Sequence, residues 1–138
     1  MKLDLALLTE KGMVIERHLA RVAAALPERA EELLPGSGAT DTVVLHLWLA
    51  VQAAIDVGMA ACVAHDQPGP SSYADAFRRL AAIGVLPPEL AERLVRAVGL
   101  RNVIAHEYEA LDLARVHRAA REGPADLRAL IAALRDAP

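Results

Sequence analysis

Apolar residues recur at intervals of three and four along almost the whole chain, which is the spacing of one face of an α-helix. In the first segment this pattern predicts an amphipathic helix of about 25 residues. Its apolar stripe contains Met1, Leu5, Leu8, Ile15, Leu19, Val22 and Leu26, with Gly12 in the position that interrupts it. Alanine and leucine make up more than a third of the chain, and only four residues are aromatic. Because sheets draw on β-branched and aromatic residues, the chain is predicted to be all-α.

Turn and capping residues divide the chain into five predicted helices. The turn Pro35-Gly36-Ser37-Gly38 precedes a second helix over about 42–65, for which Thr40 or Asp41 is the expected cap. Ser72 is expected to cap a third helix, which Gly84 ends. Pro87-Pro88 opens a fourth helix that runs to about Glu107. Asp112 caps a fifth helix, which Gly123-Pro124 is expected to break or kink. We therefore expect one antiparallel bundle of about five helices, forming a single domain over residues 1–138.

The second predicted helix is long and apolar enough to raise the hypothesis of a membrane span. Its sequence is VVLHLWLAVQAAIDVGMAACVA, which can cross a bilayer by length. However, Asp56 lies near its middle, where an aspartate costs about 2.5–3.5 kcal/mol on insertion, and no Lys or Arg flanks the stretch. A helix buried by the bundle and by a second subunit explains the sequence better, so no membrane association is expected.

The cysteine and histidine content argues against a disulfide framework and against a metal site. Cys62 is the only cysteine. The five histidines have no other ligand residue at a familiar metal-binding spacing, so neither a metal nor a cofactor is expected; they are His18, His46, His65, His106 and His117. We expect His18 and His117 on the surface and His46 in the core. The first four residues lack the features of a signal peptide, so we expect a cytoplasmic protein.

The net charge of −3 is too small to predict a partner, but its distribution is uneven. Residues 1–77 contain five basic and ten acidic residues, whereas residues 78–138 contain ten arginines and eight acidic residues. Such asymmetry favours an anionic partner for the second half, although two ordinarily solvated surfaces are the simpler interpretation.

The segment RNVIAHEY, residues 101–108, combines a cation, an amide, an imidazole and a phenol near the end of the fourth predicted helix. Helical spacing places Asn102 and His106 within about 40° of each other, and Arg101 and Tyr108 within about 20° of each other on an adjacent face. One interpretation is an ordinary helix C-terminus, where the dipole favours His and Arg. The functional interpretation is RNA cleavage without a metal: a His moves a proton, an Arg binds the phosphate, and the RNA supplies its own 2′-hydroxyl.

This segment resembles the Rx4HxY motif of the HepT-like ribonuclease toxins, which belong to the HEPN superfamily and are paired with MNT nucleotidyltransferase antitoxins. The surrounding sequence extends the resemblance. The second helix of that family is similar to LAVQAAIDVGMAACVAH, its third and fourth helices to SSYADAFRRLAAIGVLPPELAERLVRAVGLRNVIAHEY, and the start of its last helix to LDLARVHRAA. The resemblance covers about residues 42–120 well and the first helix loosely.

The resemblance implies an all-α homodimer in which the two motif helices meet at a shared RNA-cleaving cleft. Arg101 and His106 fall on the family's catalytic positions, and Asn102 falls on the polar residue beside the arginine. Tyr108 falls on the tyrosine to which the antitoxin transfers AMP from ATP, a modification that would block the cleft. Two features depart from the pattern: Gly123-Pro124 interrupts a last helix that is usually continuous, and Glu107 adds a negative charge inside the motif.

The leading hypothesis is therefore a metal-independent endoribonuclease toxin of a type II toxin–antitoxin system. In it, His106 is the general acid or base, Arg101 binds the phosphate, and Asn102 is a positioning residue. A second hypothesis is a non-catalytic HEPN module that binds a nucleotide or a nucleotidyltransferase partner. A third is a helical bundle in which the motif is purely structural.

Overall fold

The computed structural model describes residues 3–137 and shows them as five α-helices, two short 3₁₀ turns and connecting loops, with no strand in that range. The helices are α1 (Leu5–Ala25), α2 (Gly38–Ala64), α3 (Tyr73–Ala82), α4 (Pro88–His106) and α5 (Leu113–Asp136). The 3₁₀ turns are Ala30–Glu32 and Tyr108–Ala110. The all-α prediction is confirmed. Met1, which the sequence pattern assigned to the first apolar stripe, lies outside the described residues.

The capping residues confirm three of the four predicted helix starts. Ser72 Oγ accepts a hydrogen bond from the Asp75 amide at 3.0 Å, and Asp112 Oδ1 accepts one from the Ala114 amide at 3.1 Å. Pro88 is the first residue of α4, where a backbone N–H has no intrahelical partner in any case. Each of these three starts lies where the capping pattern predicts it.

The predicted cap of the second helix was wrong, because α2 begins at Gly38 and its cap is Ser37. Gly36 adopts φ 78°, a left-handed conformation that glycine allows without strain, and the next residue, Ser37, is extended. In that conformation Ser37 Oγ accepts a hydrogen bond from the Thr40 amide at 3.1 Å. The turn therefore ends earlier than its composition suggests, and Thr40 and Asp41 belong to the first turn of α2.

Gly123-Pro124 was predicted to break or kink the last helix, and the break does not occur, since α5 continues through both residues. A proline inside a helix costs about 3 kcal/mol, because it removes one backbone hydrogen bond and crowds the preceding turn. Here α5 buries its apolar face on both sides of the proline, through Ala120 before it and Leu127 and Leu130 after it. We infer that this burial keeps the helix continuous.

The centre of the bundle is α2, which packs against each of the other four helices. About half of its residues are buried, among them Val43, Ala50, Ala61 and Cys62, which have no measurable exposure. Within residues 3–137, α2 is the one helix whose length and hydropathy meet the criteria for a membrane span, and 61% of its most apolar 18-residue window is buried inside the protein. Packing against the other helices therefore accounts for its apolar sequence.

Two histidines that the sequence placed on the surface make interhelical or loop contacts instead. His117 is 8% exposed, and its Nε2 lies 2.9 Å from the carbonyl oxygen of Pro27, so the prediction for His117 was wrong. His18 on α1 is partly buried, and its Nδ1 lies 2.9 Å from Nδ1 of His46 on α2. Burial and the neighbouring His46 lower the pKa of His18. Neither histidine is a freely solvated side chain.

Close packing between α2 and α3 leads to a prediction about Gly58. A Cβ at this position would lie 2.7 Å from Cε1 of Phe77, which is 1% exposed and packed in the core. We expect Gly58→Ala to lower the free energy of unfolding by about 1–3 kcal/mol, as measured by urea denaturation. The matched control is Gly123→Ala, where nothing lies within 4 Å of the added Cβ. There, alanine raises stability by about 0.5–1 kcal/mol, and equal effects at both positions would contradict the packing argument.

Candidate active site at the end of α4

The motif residues lie at the C-terminal end of α4 and in the turn that follows it. Arg101, Asn102 and His106 belong to the last two turns of the helix. The backbone leaves the helix at Glu107, with φ −137° and ψ 42°, so Tyr108 lies in the following 3₁₀ turn. The prediction that Arg101 and Tyr108 share one helical face was therefore wrong, because it extended helical geometry beyond the helix end.

The guanidinium of Arg101 is held by residues from α2 and α3. Its Nε donates a hydrogen bond to Oε1 of Gln52 at 3.0 Å, and its central carbon lies 5.1 Å from the ring centroid of Trp48 and 5.6 Å from that of Tyr73. Its Nη1 donates to Oδ1 of the adjacent Asn102 at 3.2 Å. None of these partners is charged, so the group keeps its full positive charge while its orientation is fixed. Such a group is suited to binding a phosphate.

His106 and Asn102 are one helical turn apart, and both are exposed. His106 makes no side-chain hydrogen bond or ion pair with any other residue in the described range 3–137. Both ring nitrogens of His106 are therefore open to a molecule bound at this surface, where an imidazole can donate or accept a hydrogen bond.

The phenol of Tyr108 is bonded to the first turn of α2. Its hydroxyl donates a hydrogen bond to Oδ1 of Asp41 at 2.5 Å. This bond, together with partial burial and the negative charges of Asp41 and Glu109, raises the pKa of Tyr108 to about 12. The ring itself remains 45% exposed. The phenol is therefore protonated at neutral pH, and its position is tied to α2.

An apolar hollow of about 350 Å³ separates the Tyr108 contact from the Arg101 contact. It is lined by Asp41, Val44, Leu45, Trp48, Ile104, Ala105 and Tyr108. Trp48 and Ile104 also border a smaller cavity beside Arg101. The indole Nε1 of Trp48 is buried and has no hydrogen-bond partner in the described part of the chain. The hollow thus has Asp41 and Tyr108 in its lining, together with Trp48, whose ring contacts Arg101.

The sequence pattern does not identify four residues that belong to this site, Asp41, Trp48, Gln52 and Tyr73. In the sequence, Asp56 stands out only as an acidic residue in an apolar helix, and Asp41 only as a candidate cap. The signal that was available is their spacing, since Asp41, Trp48, Gln52 and Asp56 recur at intervals that keep them on one side of α2. Among the described residues no group of three or more His, Cys, Asp and Glu side chains is arranged to hold a metal ion.

Together, this fold and this motif define an all-helical HEPN-type domain. Residues 15–134 match the family described as "Ribonuclease HepT-like", and the chain belongs to that family.

Among curated proteins, it is similar to the "mRNA nuclease HepT" of Shewanella oneidensis, with 33% identity over 73 residues. That match covers 53% of this chain and 55% of the relative, so the chain spans about half the length of the curated relative.

Two solved structures show the same fold. One is the tri-AMPylated HEPN toxin of Shewanella oneidensis in complex with an MNT antitoxin, with a TM-score of 0.85, 24% identity, and coverage of 94% of this chain and 96% of that chain. The other is a toxin–antitoxin with AMP-PNP, with a TM-score of 0.86, 23% identity, and coverage of 94% and 98%. These similarities establish the fold over nearly the whole chain.

The Tyr108–Asp41 bond leads to a prediction about titration. In a Tyr73→Phe background, where Tyr108 is the only tyrosine, we expect its tyrosinate absorbance to titrate with a midpoint of about 12. Adding Asp41→Asn removes the anionic acceptor and should bring the midpoint closer to the ordinary value of 10. Since the folded state raises this pKa, its contribution to stability is complete below about pH 10 and is lost as the pH rises towards about 12.

The control variant for this titration is Glu109→Gln, which removes only a smaller electrostatic contribution. We expect it to change the midpoint less than Asp41→Asn does. A midpoint near 10 in the parent protein would show that the bond between the phenol and Asp41 does not form in solution.

Proposed function

We propose that this chain is a metal-independent endoribonuclease toxin of a type II toxin–antitoxin pair, acting in the cytoplasm as a single domain over residues 1–138. Arg101 and the exposed His106 lie on the same helix, and the partners that fix the guanidinium of Arg101 are uncharged. This observation carries the proposal. Membership of the HepT-like family and the nuclease name of the curated relative support this assignment.

The proposed reaction is internal transesterification of RNA. His106 takes the proton from a ribose 2′-hydroxyl, and the resulting oxygen attacks the adjacent phosphorus. The bond from phosphorus to the 5′-oxygen breaks, that oxygen takes up a proton, and a cyclic phosphate remains on the other fragment. Arg101 binds the non-bridging oxygens, where negative charge develops. Asn102, whose Oδ1 accepts from Arg101, leaves its amide N–H groups for the substrate and acts as the positioning residue.

The proposal requires a homodimer, because one helix does not bring the two catalytic groups to the same side. Arg101 and His106 are five positions apart, which separates them by about 140° around α4. In a two-fold dimer, Arg101 of one protomer and His106 of its partner approach the same phosphate when the two α4 ends face each other. The apolar hollow beside Trp48 and the exposed Leu45 provide surface that such a partner would cover.

We further propose that an MNT nucleotidyltransferase is the antitoxin and that it transfers AMP from ATP to Tyr108. The tri-AMPylated HEPN toxin in complex with an MNT antitoxin supports this proposal, since its fold is the same. The new bond joins Tyr108 Oη to the α-phosphorus, pyrophosphate leaves, and the phenolic proton is released. The modified tyrosine loses the donor that binds Asp41 and places a phosphate beside that carboxylate, which repels both Asp41 and RNA.

A second candidate function is a non-catalytic HEPN module that binds a nucleotide or a nucleotidyltransferase partner. It is favoured by the acidic surroundings of Tyr108, where Asp41, Glu107 and Glu109 are all exposed and oppose the binding of RNA. Under this hypothesis the protein associates with the nucleotidyltransferase, and its expression has no effect on growth. A purely structural role for the motif predicts only changes in stability when Arg101 is replaced.

The nuclease proposal is tested by incubating the purified protein with total bacterial RNA in the presence of EDTA. We expect cleavage by the wild type and at least a hundredfold slower cleavage by His106→Ala or Arg101→Ala, because general acid–base catalysis contributes about 10²–10⁴-fold. The matched controls are His65→Ala and Arg96→Ala, which replace the same residue types outside the motif and should leave the rate unchanged. Equal cleavage by wild type and His106→Ala would exclude His106 as the catalytic group.

The modification is tested by co-expressing the chain with an MNT nucleotidyltransferase and measuring the intact mass. We expect a mass increase of one or more AMP groups, which Tyr108→Phe abolishes and Tyr73→Phe does not. Growth arrest on expression without the nucleotidyltransferase should require both Arg101 and His106. An unmodified mass in the presence of an active nucleotidyltransferase and ATP would contradict the assignment of Tyr108.

A further inference from the structure

A chain of four polar side chains connects α1, α2 and α4 and ends at the motif arginine. Lys11 Nζ lies 3.5 Å from Oδ2 of Asp56, and Oδ1 of Asp56 accepts a hydrogen bond from Nε2 of Gln52 at 3.1 Å. Oε1 of Gln52 accepts the hydrogen bond from Arg101 Nε at 3.0 Å. Gln52 and Asp56 are one turn apart in the apolar middle of α2. The motif itself includes neither residue.

We propose that Gln52 is a positioning residue for Arg101, and that Asp56 sets the orientation of the Gln52 amide. This inference rests on the proposed ribonuclease function, in which Arg101 binds the phosphate. Neither Gln52 nor Asp56 is assigned a contact with RNA. Both residues act by fixing the orientation of the Arg101 guanidinium.

The orientation of the Gln52 amide follows from what its two neighbours can accept and donate. The carboxylate of Asp56 only accepts hydrogen bonds, and the guanidinium of Arg101 only donates them. The amide therefore places its NH₂ towards Asp56 and its oxygen towards Arg101. The opposite orientation would put two donors against each other at Arg101 and two oxygens against each other at Asp56. Without Asp56, only Arg101 would favour this orientation of the Gln52 amide.

Gln52 fixes the rotation of the Arg101 guanidinium, which the aromatic neighbours of Arg101 cannot do. Trp48 and Tyr73 attract the guanidinium to the faces of their rings, but a ring face allows a flat cation to slide and rotate. The hydrogen bond to Gln52 is directional, and it uses Nε, the donor farthest from the tip of the side chain. It thereby fixes the rotation of the group without using the N–H groups at the tip, one of which bonds to Asn102.

For phosphate binding by Arg101, the absence of charge on Gln52 matters as much as the direction of its hydrogen bond. A carboxylate at this position would bind the guanidinium in an ion pair, reduce its net charge and repel an incoming phosphate. Asp56 carries such a charge, but it lies one turn further along α2, beyond the amide, and Lys11 offsets part of it. The arrangement holds the arginine firmly and leaves its charge for the substrate.

The experiment compares Gln52→Leu, Gln52→Glu and Asp56→Asn in the full-length protein, using a fluorophore-labelled single-stranded RNA of mixed sequence. We expect Gln52→Leu to lower kcat/KM by about ten- to a hundredfold, the size of a lost hydrogen bond to a charged group. Gln52→Glu restores an acceptor, so it should recover kcat while raising KM, because the added negative charge weakens phosphate binding. Asp56→Asn should lower kcat/KM by less than Gln52→Leu does. The matched control is Gln67→Leu in the loop after α2.

A second measurement does not depend on activity. In ¹⁵N-labelled protein without RNA, the Arg101 Nε–H should give a separate NMR signal that exchanges slowly with water, and Gln52→Leu should abolish it while the thermal midpoint stays close to that of Gln67→Leu. Retention of this signal, or a wild-type kcat/KM, in Gln52→Leu would overturn the inference. If wild type and His106→Ala are both inactive while the signal behaves as expected, the proposed ribonuclease function fails and Gln52 is shown only to orient Arg101.

Discussion

The burial of α2 among the four other helices is the constraint on which the rest of the structure depends. A helix that is surrounded in this way must be apolar over most of its surface, and only one stripe is left for polar and amphipathic residues. On α2 that stripe runs through Asp41, Leu45, Trp48, Gln52 and Asp56. The end of α4 and the turn after it lie against this stripe, so Arg101 and Tyr108 both find their partners there. The location of the site thus follows from the packing of the core.

Local signals were sufficient for the helices, and tertiary contacts decided the exceptions. Periodicity and caps predicted five helices and the starts at Ser72, Pro88 and Asp112. The helix α5 continues through a proline that was expected to break or kink it, and His117, expected on the surface, is buried beside the carbonyl of Pro27, 90 positions away. Propensity describes a segment in isolation, whereas these two outcomes depend on what the segment packs against.

The motif could be found in the sequence, but its supporting residues could not. Arg101, Asn102, His106 and Tyr108 stand within eight positions, and a short polar cluster in an apolar helix is conspicuous. Gln52 is 49 positions from Arg101, and Asp41 is 67 positions from Tyr108. A single sequence contains no information on which of its distant polar residues meet. Only the fold shows that Gln52 and Asp41 on α2 bond to the motif, and that Asp56, which argues against a membrane span, bonds to Gln52.

The two ends of the polar stripe on α2 differ in charge. One end lies beside the guanidinium of Arg101, and the other lies beside the phenol of Tyr108. At the Arg101 end, every contact is with an uncharged group, so the cation retains its charge for an anionic ligand. At the Tyr108 end, Asp41 and Glu109 surround a protonated phenol. Trp48 and Ile104 form the wall common to the hollows at both ends. In the proposed function, AMP added to Tyr108 would therefore lie against Trp48, whose ring also contacts Arg101, so the proposed modification could disturb the proposed phosphate-binding residue. The small net charge of the chain is uninformative because it averages two local environments of opposite character.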